Sequence, residues 1–254
     1  MARTLISSAW AVVLLLPASL SFAQTEKPVY ELRTYHPAPG KLDVLVKRFG
    51  ALNVPKFEQH QIKLLGAWVP ADKNDPDPRL VYLVSFPNRD AAKDAWKAFL
   101  DDPTVKDCFA KEKEKHGTVV AKGESVFLKP TDYSPDADLS GTGRIYELRT
   151  YTASPGKMAD LHKRFREHTI GLFEIHGLHS IGYSEPLDAD KGAGSKLVYM
   201  LAFPNHEAAD KAWQAFKDDP EWQKAKKESE ADGIPLAAKV ESVFLKPTDF
   251  SPLQ

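Results

Sequence analysis

Two of the eight histidines in this 254-residue chain sit in matching surroundings: His60 in Phe57-Glu58-Gln59-His60 and His176 in Phe173-Glu174-Ile175-His176. An imidazole titrates near neutrality and offers two ring nitrogens, so either residue could shuttle a proton or ligate a haem iron. The plainer alternative is a histidine at a helix C-terminus, favoured by the helix dipole and bonded to the last carbonyls. Glu58 and Glu174 lie two positions earlier, a spacing that turns them away from the imidazole on a continuous helix and weakens any Glu-His dyad. A second constellation is Glu31, Arg33 and Tyr35, which recurs as Glu147, Arg149 and Tyr151. Alternate residues of a strand share one face. An arginine there could clamp a carboxylate, and a tyrosine beside it could donate to a phenolic or quinone-like oxygen. The structural alternative is that Glu and Arg neutralise each other while Tyr packs, because buried charges need partners in any protein. His60 and His176 are thus the catalytic candidates, and the two Glu-Arg-Tyr sets are the ligand-binding candidates.

Other chemistries lack their motifs. The chain holds no Gly-x-Gly-x-x-Gly, P-loop, Gly-x-Ser-x-Gly or His-Glu-x-x-His, and no Cys-x-x-Cys-His for covalent haem. No metal site is expected: His176 and His179 are three apart, but Lys63 stands where the first copy would need the second histidine. The single cysteine, Cys108, cannot form a disulfide within the chain and reads as a small packing residue. With 34 basic against 35 acidic residues and a formal net charge of −1, the chain lacks the basic footprint of a nucleic-acid binder.

The elements that must position these residues are written twice. Tyr30–Phe49 aligns without gaps on Tyr146–Phe165, Leu80–Pro103 on Leu197–Pro220, and Glu124–Pro135 on Glu241–Pro252, the last pair differing only at Tyr133 and Phe250. The offset is 116 and then 117, so one residue is inserted in a loop between the first and second blocks. Val29–Tyr35 alternates as a strand. Leu42, Leu45, Phe49 and Leu52 follow with helical spacing, and Pro55 and its counterpart Gly171 should kink or finish that helix. Two strands come next, then a helix capped by Asn88 or Asn205, a short helix opened by Asp102-Pro103 or Asp219-Pro220, and a closing strand. Each copy is a β-α-β-β-α-β unit, so the expected fold class is α+β with two ferredoxin-like repeats. Residues 24–135 form the first repeat, 136–144 a polar linker and 145–254 the second. Residues 1–23, with Arg3, a short apolar stretch and Ser21-Phe22-Ala23, read as a signal peptide cut after Ala23, which predicts an exported, periplasmic or secreted protein without a membrane anchor.

Tyr-Glu-Leu-Arg-Thr-Tyr followed by Pro-Gly-Lys, Phe-Glu-x-His, and a helical Trp before Asp-Asp-Pro resembles the NIPSNAP family, over both copies. The resemblance implies the dimeric α+β barrel superfamily, with both halves supplied here by one chain in an intrachain pseudo-dimer. That superfamily includes cofactor-free monooxygenases, haem-binding enzymes and simple small-molecule binders. The expected function is binding of a small apolar or aromatic molecule in a cleft between sheet and helices. The enzymatic alternative is a cofactor-independent monooxygenase or isomerase, and a third is a protein scaffold, which would need an exposed apolar patch. No cofactor is expected, with non-covalent haem left open. The expected partners are the small ligand and a further copy of the pseudo-dimer, not nucleic acid or membrane.

Overall fold

The computed structural model describes residues 28–135 and 144–253. The proposed signal peptide, and the linker apart from Arg144, lie outside them. The first repeat runs β1 (Val29–Pro37), α1 (Leu42–Arg48), α2 (Val54–Gln59), β2 (Lys63–Pro70), β3 (Leu80–Phe86), α3 (Arg89–Asp101), α4 (Pro103–His116) and β4 (Val120–Pro130). The second runs β5 (Ile145–Ala153), α5 (Met158–Arg164), α6 (Ile170–Ile175), β6 (His179–Pro186), β7 (Lys196–Phe203), α7 (His206–Asp218), α8 (Pro220–Ser229) and β8 (Ala237–Pro247). All pairings are antiparallel, and the strands close into one barrel in the order β1-β3-β2-β8-β5-β7-β6-β4.

The halves close on each other at two symmetric seams. Trp68, Val69 and Pro70 pair with Pro247, Lys246 and Leu245, while Leu128, Lys129 and Pro130 pair with Pro186, Glu185 and Ser184. Beyond each seam the chain crosses to the other half. Thr131 N–H donates to the Tyr183 carbonyl at 3.0 Å and Tyr183 N–H donates to Ser134 Oγ at 3.0 Å. In mirror fashion Thr248 N–H donates to the Ala67 carbonyl at 2.9 Å and Ala67 N–H to Ser251 Oγ at 2.9 Å. Phe250 therefore packs in the core of the first repeat and Tyr133 in that of the second. This exchange explains why the Lys-Pro-Thr-Asp-x-Ser-Pro tail is so nearly identical in the two copies: each must satisfy backbone groups of the opposite half.

Each strand has two apolar destinations. One set, including Leu32, Leu83, Leu148 and Val243, faces into the barrel around Trp68, Tyr146 and Leu245; the other faces the helices. The barrel interior is nearly full, with a residual cavity of about 70 Å³ near Ile181, Gly182 and Ser184. Small barrels fill in this way because inward side chains from opposing strands meet at the axis. Trp68 folds back over its own strand, and an added Cβ at Gly66 would lie 2.2 Å from its indole. Its counterpart, Ser184, is too small to do the same, which leaves the cavity at that end.

The first helix of each repeat is where the structure departs from the sequence reading. The irregularity precedes Pro55: Phe49–Asn53 forms a π-helical turn, and the helix then resumes and runs through Pro55 to Gln59. Phe165–Thr169 does the same with no proline present. Proline is thus not the cause. Both wide turns are held by a side chain five residues along: Arg48 Nη1 donates to Asn53 Oδ1 at 2.8 Å, and Thr169 Oγ1 donates to the Arg164 carbonyl at 3.2 Å.

Candidate functional site

The helix-facing side of β1 carries Glu31, Arg33 and Tyr35, and that of β5 carries Glu147, Arg149 and Tyr151. Glu31 and Glu147 are each only 2% exposed, so their carboxylates require partners. Arg33 Nη1 donates to Glu31 Oε1 at 2.8 Å, and the Trp96 indole N–H, reaching down from α3, donates to Glu31 Oε2 at 2.6 Å. The second repeat matches it: Arg149 Nη1 and Ser242 Oγ donate to Glu147 Oε1, and Trp213 donates to Oε2 at 2.7 Å. The guanidinium carbon of each also lies over its tryptophan ring, at 4.4 Å for Arg33 and 4.3 Å for Arg149. The Arg-Trp stack adds cation-π attraction to the ion pair. Trp96 and Trp213 are therefore the groups that fix the buried carboxylates.

Above this floor the two repeats diverge. The first has a cleft of about 480 Å³ between sheet and helices, walled by Arg33, Tyr35, Arg48, Asn53, Trp96 and Phe109. Arg48 projects from the end of α1 beside the π turn, pairs with Glu112 at 3.0 Å and lies 4.9 Å over the Phe109 ring. The corresponding cleft of the second repeat holds about 250 Å³. There Trp222 stands where the first repeat has Val105; it packs 4.4 Å from Phe216 and 5.1 Å from Arg164, and Lys226 replaces Phe109. A larger groove of about 520 Å³ runs between α5 and α8, but Lys157 pairs there with both Asp160 and Asp232. It reads as a solvated charged surface, so the cleft of the first repeat is the better-formed site for an apolar guest.

His60 and His176 cap the helix ends, as one of the two sequence alternatives had it, and their partner is a carboxylate instead of the last carbonyls. His60 Nε2–H donates to Asp102 Oδ2 at 3.0 Å, and His176 Nε2–H donates to Asp219 Oδ2 at 2.7 Å. The same aspartates cap the next helix through Oδ1, which accepts from Thr104 N–H at 2.7 Å and Glu221 N–H at 2.7 Å. Hydrogen bonds from Lys56 and then His60 hold the Asp102 carboxyl below the usual carboxylate range, and His176 does the same for Asp219. Neither imidazole walls the two clefts above, and with Nε2 occupied only Nδ1 remains for a haem iron or a migrating proton. Among the described residues no group of three or more His, Cys, Asp or Glu is placed to hold a metal ion. Cys108 is free and half-buried.

One polar chain escaped the sequence reading altogether. Tyr133, on the tail of the first repeat, donates its hydroxyl to His162 Nδ1 at 2.6 Å, and His162 Nε2–H donates to Glu185 Oε1 at 2.5 Å. A carboxylate only accepts, so Nε2 carries a proton, and Nδ1 is the nitrogen that faces the phenol. Burial raises the Tyr133 hydroxyl above its ordinary range, so it stays a donor. The equivalent positions in the first repeat are Phe250, Val46 and Val69, all apolar and packed on one core. Comparing the copies position by position would have exposed this joint replacement. The same comparison marks Arg48 and Arg164, which sit at matching places inside the first repeated block.

Two ferredoxin-like halves, each with a sheet-helix cleft, closed by exchanged tails into one eight-stranded barrel define a dimeric α+β barrel protein whose two subunits are one chain. The chain belongs to the NIPSNAP family, whose model matches residues 30–135 and again 146–252. Among solved structures, a protein described as a proposed monooxygenase from Lactobacillus acidophilus NCFM superposes with a TM-score of 0.56 at 12% identity, covering 87% of this chain and 94% of its own. A mutant chlorite dismutase from Candidatus Nitrospira defluvii gives a TM-score of 0.55 at 8% identity, covering 87% and 92%. A NIPSNAP family protein from Agrobacterium tumefaciens str. C58 is 28% identical over 44% of this chain and 99% of its own, with a TM-score of 0.37. At such identities the two barrels speak to fold alone. No curated protein matches. Among the described residues no helix is long and apolar enough to cross a membrane.

Proposed function

We propose that this NIPSNAP protein is exported and binds one small apolar or aromatic molecule in the sheet-helix cleft of its first repeat, with Glu31 holding Arg33, and Arg33 and Tyr35 meeting the guest. The observation that carries this reading is the asymmetry of the clefts: about 480 Å³ beside Arg33 and Trp96 against about 250 Å³ beside Tyr151, Arg164 and Trp222. Arg149 and Tyr151 would then preserve the floor of the second half without receiving a ligand. The test is a thermal-shift and calorimetric screen of the full chain against small aromatic compounds. Binding at one site per chain is expected, and Val105→Trp with Phe109→Lys, which copies the filler of the second repeat, should weaken it at least tenfold while leaving the fold intact. A screen without any binder, or binding untouched by that double substitution, would contradict the reading.

A second reading, a cofactor-independent monooxygenase or isomerase, draws on the His-Asp pairs that recur at the same place in both repeats. In it His60 or His176 takes a proton and the aspartate holds the imidazolium. Replacing both histidines by Ala without loss of turnover on the bound compound would remove it.

A further inference from the structure

Arg33 and Tyr82 are direct cross-strand neighbours on β1 and β3, and Arg149 and Tyr199 are the same neighbours on β5 and β7. The backbones agree, yet the side chains do not. In the second repeat Arg149 Nε–H donates to the Tyr199 hydroxyl at 2.9 Å. In the first, Arg33 Nε and the Tyr82 hydroxyl are both buried and neither makes a well-directed hydrogen bond, with the Tyr35 hydroxyl beside that of Tyr82. Tyr82 is 0% exposed, so water does not compensate it. Native proteins rarely leave two such groups open side by side when a side-chain rotation would join them.

Arg33 lines the open cleft, and Tyr82 lies buried behind it, outside that lining. In the first repeat the Arg33 guanidinium is held over Trp96, with Nη1 on Glu31 and Nη2 donating to the Tyr35 hydroxyl at 3.3 Å. Burial keeps Tyr82 protonated, so it too offers a hydrogen. Both open groups are therefore donors, and their complement is an acceptor oxygen. Charge decides which kind. Arg33 is already balanced by Glu31 and Arg48 by Glu112, so the cleft has no unpaired cation to meet a carboxylate. Bringing in an unbalanced anion would cost desolvation that these paired guanidiniums cannot return.

We infer that the guest of the first cleft carries a neutral carbonyl oxygen, as in an aryl ketone, which receives hydrogen bonds from Arg33 Nε–H and the Tyr82 hydroxyl, and that in the second repeat Arg149 and Tyr199 have closed the same pair of groups onto each other. This rests on the ligand-binding reading above and names the chemistry of its guest. Neither donor is open to water as the side chains lie, so the oxygen enters as Arg33, which lines the cleft, swings away from Tyr82 and uncovers both.

The experiment titrates the full chain with three probes of one shape: 2-acetylnaphthalene, 2-naphthoate and 2-isopropylnaphthalene. The ketone is expected to bind at least tenfold more tightly than the hydrocarbon and than the carboxylate, and Tyr82→Phe should erase the ketone's advantage over the hydrocarbon. Because the Tyr82 hydroxyl makes no well-directed hydrogen bond, that variant should melt no lower than the parent chain, whereas Tyr199→Phe, which removes the bond to Arg149, should melt measurably lower. Equal affinity for ketone and hydrocarbon, tighter binding of the carboxylate, or a ketone preference that survives Tyr82→Phe each overturns the inference while leaving the binding reading in place. Failure of all three probes to bind overturns both, and a stability loss in Tyr82→Phe matching that in Tyr199→Phe would show that the hydroxyl is not open.

Discussion

Replacing Glu185 by Val strips the carboxylate from His162 and leaves its Nε2–H facing β6 and little water, since the His162 side chain is only 16% exposed. A buried donor stripped of its acceptor costs about 1–3 kcal/mol. Lys129, which also pairs with Glu185 at 3.1 Å, is 55% exposed and adds little to that loss. Taking about 2 kcal/mol, the melting temperature should fall by about 4–8 °C in a chain of this size. Tyr133→Phe alone leaves His162 Nδ1 without its donor and should cost about 1 kcal/mol. The triple variant Tyr133→Phe, His162→Val, Glu185→Val installs what the first repeat already has at Phe250, Val46 and Val69, and removes every polar group of the chain together. Swapping a whole buried polar set for apolar groups of suitable shape is often neutral, so the triple variant should lie within about 1 kcal/mol of the parent. Urea titrations followed by tryptophan fluorescence, read at constant m, give the three values. A triple variant at least as unstable as the single losses added together would refute the claim that this Tyr-His-Glu chain is a tail-holding device equivalent to its apolar twin.

Three further outcomes follow from the same geometry. Gly66→Ala should destabilise by about 1–3 kcal/mol through overpacking, because its Cβ would meet the Trp68 indole at 2.2 Å, whereas Gly182→Ala, whose nearest neighbour is Ser134 Oγ at 3.5 Å, should be close to neutral in the same urea titration. Asp102 and Asp219 have folded-state pKa values below the ordinary 3.8, so the stability they contribute is complete above that pH and is lost as acid protonates the folded form. The double variant Asp102→Asn, Asp219→Asn should accordingly show a flatter fall in stability below pH 3.8 than the parent, measured by urea titration at several pH values; an unchanged slope would refute the assignment. Phe250→Ala removes a ring stacked 5.6 Å from Phe49 across the seam and should cost about 2–4 kcal/mol by the same assay, loosening the tail on the opposite half.

Much of the scaffold was legible because duplication made each local signal appear twice. The alternation in Val29–Tyr35 gave the correct two faces, and Asn88, Asn205, Asp102 and Asp219 all cap the helices they precede. The π turns were not legible, since Leu42, Leu45, Phe49 and Leu52 fit an ordinary helix and a widened turn declares itself only through the bonds of Arg48 and Thr169. Proline was a false cue for the same reason: at the start of α2 its missing N–H costs little. At the site, the Glu-Arg-Tyr triplets could be placed on one strand face from their spacing alone. Their anchoring to Trp96 and Trp213 could not, because indole donors arrive from a helix some sixty residues away. The inequality of the clefts likewise depends on Val105 and Trp222, which look like routine packing residues until Arg164 and Phe216 are seen around the indole.

The most direct test of the account is a crystal structure of the full chain purified from its host without added ligand. The account predicts a closed barrel within each molecule and one bound molecule against Arg33 and Trp96, with Trp222 filling the equivalent space in the second half. Guests in both clefts, a guest inside the barrel, or halves paired with a neighbouring molecule would contradict it.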